Sequence, residues 1–122
     1  FYLASHINTE APGGKEVWPQ SIEILACFLG FGVMLSNTAY SYKGGCGSCH
    51  TRTAKRQAAL PEDEQIVALA IFCQLKQIPN KNVLPHLKKY LRSIYKSAVK
   101  EIANRPHDMK KLRDLCLASA EV

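Results

Sequence analysis

The chain is 122 residues long, 47% hydrophobic and 21% charged, with a formal charge of +6. That length suits one domain able to bury a core without disulfide staples, and the composition excludes a disordered or collagenous chain. The positive charge is local, much of it lying between Lys88 and Arg113. The five cysteines are odd in number, and the chain is too large and too poor in cysteine for a secreted disulfide scaffold. A reduced, cytoplasmic protein is expected. The first residue is Phe1, as expected of a trimmed or processed product, with a removed leader compatible.

In chain order, residues 1–19 read as an N-terminal segment and loop: Leu3 and Ile7 give a short helical look, then paired glycines and two prolines punctuate "APGGKEVWPQ". Pro19 and Ser21 mark the start of a core helix over 20–42, apolar on nearly every side at its centre. Its continuously apolar part, Ile24 to Leu35, is shorter than the roughly 20 residues needed to cross a bilayer, which predicts a buried core helix and no membrane span. Gly30 and Gly32 each weaken a helix by about 1 kcal/mol, a cost tolerable where another helix crosses closely.

Residues 43–60 form a long connection, rich in glycine and cysteine first and basic afterwards. Three further helices are expected over 61–122. Pro61 with Glu62, Asp63 and Glu64 opens the first, which runs to about Gln77 and is apolar almost all round. The second is amphipathic, with Leu84, Leu87, Leu91, Ile94, Ala98 and Ile102 at steps of three and four. Arg105-Pro106 ends it, and Asp108 can cap a last helix carrying Met109, Leu112, Leu115 and Cys116. No segment alternates like a half-buried strand. The fold class is therefore all-α: a single-domain bundle of about four to five helices, two central ones sheathed by amphipathic neighbours.

Three motifs invite chemistry. Cys46-Gly47-Ser48-Cys49-His50 matches the C-x-x-C-H attachment pattern of haem c, with Met109 as a candidate second axial ligand. The same Cys46, Cys49 and His50 can form half of a zinc knuckle, completed by His86, His107 or a second subunit. A surface loop with incidental thiols is the plain alternative, and short motifs often match by chance. The basic residues Lys88, Lys89, Arg92 and Lys96 offer phosphate contacts to nucleic acid or another polyanion, with Tyr90 and Tyr95 for stacking. No helix-turn-helix or finger framework aims them at bases, so a solvated helix face is the alternative there.

The stretches "SIEILACFLGFGVMLSNTAYSY", "AALPEDEQIVALAIFCQLKQIP" and "VLPHLKKYLRSIYKSAVKEI" carry a resemblance spanning roughly residues 20–102. They resemble a helical segment of little-characterised bacterial zincin-like proteins, in which it follows an H-E-x-x-H helix. The resemblance implies a zinc site in which Glu23 takes the place of the third ligand. In "SHINTE", His6 is kept, but Ile7 stands where the general base belongs and Glu10 replaces the second His. His6, Glu10 and Glu23 could still hold a metal, while the hydrolytic mechanism lacks its base. The expectation is a degenerate, non-catalytic member with divalent-metal binding and an interaction or structural role. Its partner would be another protein or a second copy. The alternatives left open are a zinc-dependent hydrolase, a c-type cytochrome and a non-specific nucleic-acid binder. For Glu23 the plain alternative is an acid in the first turn of a helix.

Overall fold

The computed structural model describes residues 13–39 and 58–120, without the side chains of 116 and 118–120. Five helices and no strand stand among the described residues, so the chain is all-α. They are α1 (Lys15–Thr38), α2 (Glu62–Leu75), α3 (Asn80–Val83), α4 (Lys89–Ala103) and α5 (Pro106–Ala120). The calls on residues 1–12 and 40–57 lie outside the described residues.

The centre of the bundle is α2. Gln65, Ile66, Ala68, Leu69, Ala70 and Cys73 are all buried, on more than one side of the helix. The C-terminal half of α1 packs on it from one direction and α4 from another. Its N-terminus follows from local chemistry: Pro61 precedes it, the acids 62–64 meet the positive end of the dipole, and the Gln65 amide bonds the Pro61 carbonyl at 2.9 Å. Its C-terminus is a Schellman motif. Gln77 sits at φ 55, its amide donates to the Gln74 carbonyl, and the Ile78 amide donates to the Cys73 carbonyl at 2.8 Å.

The amphipathic helix begins later than its apolar spacing implies. Leu84 and Leu87 belong to a separate turn, α3 followed by a 3₁₀ turn Leu84–His86, and Lys88 is extended at ψ 146 before α4 starts. Side chains hold the break: Arg92 Nε donates to the Leu87 carbonyl and Asn37 Oδ1 accepts the Lys88 amide. From there the pattern holds, with Leu91, Ala98 and Ile102 buried against α2. Helix α5 starts with Pro106 in its first turn and Asp108 just inside, near the positive dipole end.

Helix α1 departs most from expectation. It begins with a 3₁₀ turn at Lys15–Val17, leaves α geometry in a π-type turn at Cys27–Phe31, and ends at Thr38. Within the π-type turn Gly30 has φ 103 and ψ 1, a conformation that costs a glycine little and other residues much. Gly32, two residues on, serves a different purpose: a Cβ there would lie 2.7 Å from the Cys27 sulfur and 2.8 Å from Leu69 Cδ1. Close crossing by α2 thus explains Gly32, and backbone conformation explains Gly30.

Candidate functional site

The polar residues of α1 act as clamps. Both carboxylate oxygens of Glu23, a residue only 9% exposed, accept backbone amides: Oε1 from Ala59 at 3.0 Å and Oε2 from Leu60 at 2.9 Å. These bonds fix the chain just before α2 against α1. At the other end of α1, Asn37 makes a second clamp. Its Nδ2 donates to the His86 carbonyl at 2.8 Å and its Oδ1 accepts the Lys88 amide at 3.0 Å, holding the turn that precedes α4. The Thr38 hydroxyl donates to the Met34 carbonyl at 2.8 Å at the helix end. Glu23 lies in the second turn of the regular α-helical part, so its role is to accept those amides and not to counter the dipole.

Of the two candidate metal sets, only Glu23 is described; His6, Glu10, Cys46, Cys49 and His50 lie outside the described residues. No group of three His, Cys, Asp or Glu side chains that could hold a metal occurs among the described residues. His86 and His107 are exposed on separate turns. Met109 is 8% exposed and belongs to the hydrophobic core, which gives it a packing role.

The four basic candidates divide. Lys88, Lys89 and Lys96 are exposed. Arg92 is half-buried and its guanidinium is engaged: Nε donates to the Leu87 carbonyl at 3.0 Å and Nη2 to the Pro85 carbonyl at 3.4 Å. It stabilises the turn before α4. Tyr95 is completely buried and so unavailable for stacking, while Tyr90 is exposed and its hydroxyl donates to Glu62 Oε1 at 3.0 Å.

Two thiols, Cys27 of α1 and Cys73 of α2, are buried in the core near Tyr95. Burial, and secondarily the charge of Cys73, pushes the Cys27 thiol up from 9.0 to about 11. Cys73 is also raised by burial, and contact with the Tyr95 hydroxyl partly offsets this. That contact is too loose to satisfy the hydroxyl as a full hydrogen bond. Such thiols are neutral and shielded, the opposite of reactive ones. Gln65 is also fully buried, with neither side-chain amide atom hydrogen-bonded.

The feature that sequence reading missed is the outer face of α1. Leu29 is 67% exposed and Met34 56%, and Ile24, Leu25, Phe28 and Phe31 are also exposed. Six side chains each about half exposed present on the order of 500 Å² of apolar surface, the size of the largest patch on an ordinary monomer, which is often functional. Leu25, Leu29 and Met34 follow at steps of four and then five, the longer step crossing the π-type turn. The edge-to-face contact of Phe28 with Phe72 of α2, ring centroids 5.6 Å apart, anchors one margin of the patch.

Helix α1, 24 residues with mean hydropathy 1.5 over its most apolar stretch, is long and apolar enough to cross a membrane. Only 28% of that stretch is buried, so the expected core helix is instead an edge helix. Its exposed apolar part, residues 24–34, is only about 15 Å long at 1.5 Å per residue, half the roughly 30 Å hydrocarbon core. Comparison with family models, with curated proteins and with solved structures finds no match to this chain.

Proposed function

We propose that this chain is a non-catalytic helical interaction domain that docks a protein partner on the outer face of α1. The observation that carries it is the concentration of exposed apolar side chains, Leu25, Leu29, Phe31 and Met34 among them, on a helix tied into the bundle at Glu23 and Asn37. A rigid helix presenting an apolar stripe is a standard recognition surface, and ordering it beforehand lowers the entropic cost of binding. The short span of the stripe and the two clamps favour a protein partner over a bilayer.

Zincin-like ancestry belongs to the same proposal and rests on the sequence resemblance. Under it, His6, Glu10 and Glu23, or Cys46, Cys49 and His50, would hold a divalent metal. Glu23 brings to such a site a carboxylate with both oxygens already accepting amides. Zinc, if held, would act as a structural tie or a Lewis acid; the chain's own residue 7, an isoleucine, supplies no base.

The test pairs binding with catalysis. Photo-crosslinking residues placed at Leu25, Leu29 and Met34 are expected to give one recurring protein adduct in cells, and the same residue at Lys96 none. Peptide or ester turnover that disappears with chelator and with His6→Ala would overturn the non-catalytic reading. Stoichiometric iron per chain with covalently attached colour would replace it with a haem c protein.

A further inference from the structure

Between Lys88 and Arg113 nine lysines and arginines stand against two acids, Glu101 and Asp108, a net +7 in a chain whose total is +6. The rest of the chain is close to neutral, so the positive field of the molecule comes from α4 and α5. On α4, at 3.6 residues per turn, Lys89, Ser93, Lys96 and Lys100 fall within an arc of about 60°. All four are exposed, and the buried Leu91, Tyr95, Ala98 and Ile102 lie on the opposite side. The arc is therefore the outermost face of the helix. Arg92 leaves this face, because its guanidinium turns to the Leu87 and Pro85 carbonyls. Glu101, the one acid of α4, sits to the side and pairs with Arg105 at 2.9 Å, so it does not neutralise the row.

The chemistry of the row selects its ligand. Tyr90, at the edge, is the one large apolar side chain exposed on α4. The face thus has no apolar centre of the kind a protein interface buries, and no side chain to enter a bilayer. The Ser93 hydroxyl is turned back to the Tyr90 carbonyl at 3.2 Å, which leaves the three ammonium groups as the donors. At 1.5 Å per residue they are spaced about 10 Å and then about 6 Å along the axis. A row of some 16 Å lies beside about nine charges of a duplex, which carries one per ~1.7 Å. We infer that the outer face of α4 binds the phosphate backbone of nucleic acid, without regard to sequence, through Lys89, Lys96 and Lys100. The site is separate from the apolar face of α1 and does not depend on what docks there.

Fluorescence anisotropy of the full chain with a labelled mixed-sequence duplex of about 20 base pairs tests this. Binding with a Kd of about 10–100 µM is expected at about 50 mM salt, falling about fortyfold by about 200 mM, the effect of three lysines at ~0.9 counterion each. Lys96→Gln with Lys100→Gln should weaken binding at least about tenfold at low salt and reduce the salt slope by about 2. Lys15→Gln with Lys76→Gln removes the same charge from exposed positions off α4, and should leave the affinity within about twofold. Equal losses in the two double variants would assign the binding to net charge and overturn the inference. So would a Kd for the duplex weaker than about 1 mM at low salt, or binding to phosphatidylserine vesicles without binding to the duplex.

Discussion

Replacing Glu23 with alanine removes both acceptors from the amides of Ala59 and Leu60, bonded at 3.0 and 2.9 Å. Leu60 is 6% exposed, so its amide would lose its partner largely out of reach of water, whereas the part-buried Ala59 amide can be partly rehydrated. Hydrogen bonds to a charged group contribute about 1.5–3 kcal/mol each, and an orphaned buried donor costs about 1–3 kcal/mol. Because the two bonds share one carboxylate, their loss is not additive, and Glu23→Ala should destabilise by about 2–4 kcal/mol. Out of a total stability of about 5–15 kcal/mol this is large. Glu23→Gln keeps one acceptor oxygen but points an amide donor at the second N–H, so it should fall between wild type and Glu23→Ala. Urea unfolding followed by far-UV circular dichroism gives the energies. Hydrogen exchange at Ala59 and Leu60 gives the location, with accelerated exchange expected there before the centre of α2. A loss below about 0.5 kcal/mol, the level of an ordinary surface substitution, with unchanged exchange at both amides, would refute the clamp.

Further outcomes follow from the backbone and the core. Gly30→Ala should cost about 1–2 kcal/mol through its left-handed φ, with Gly30→Asn milder because asparagine tolerates that region. Gly32→Ala should cost a similar amount, about 1–3 kcal/mol from overpacking less the ~1 kcal/mol helix gain. Its cost should shrink in a Leu69→Val background, while that of Gly30→Ala should not; equal response of the two would contradict their separate roles. Gln77→Gly at the Schellman position should raise stability by about 1 kcal/mol, since only glycine takes that φ freely; a lower urea midpoint would show that the side chain matters there. Cys27 holds its proton more tightly folded than unfolded, so its contribution is complete below pH 9.0 and is lost as pH rises through about 11. About 2–3 kcal/mol should disappear across that window, with Cys73 and Tyr95 acting in the same direction. Thermal unfolding from pH 8 to 11 checks this, and a Cys27→Ala chain with the same slope would contradict the assignment.

The parts of the fold that depend on neighbours in sequence were legible. Pro61 with three acids marked the start of α2, and the spacing of Leu91, Ala98 and Ile102 marked the buried stripe of α4. Leu84 and Leu87 continued that spacing by coincidence, because an apolar period does not register a break held by side chains, Arg92 on the Leu87 carbonyl and Asn37 on the Lys88 amide. Close crossing was anticipated for both Gly30 and Gly32, and it holds for Gly32 alone. The clamps were hidden, since Glu23 meets amides 36 and 37 residues away and Asn37 meets groups 49 and 51 away. An all-round apolar helix reads as buried, yet composition does not say on which sides packing is provided; α2 is enclosed and α1 is not. That difference is what exposes the candidate docking face.

The most direct test of the interaction reading is site-specific photo-crosslinking from Leu29 in living cells, with Lys96 as the control position. A single protein adduct from Leu29, abolished by Leu25→Glu in the same chain and absent from Lys96, is the predicted result. Lipid adducts alone, adducts equal at both positions, or none at Leu29 would contradict the claim that the outer face of α1 docks a protein.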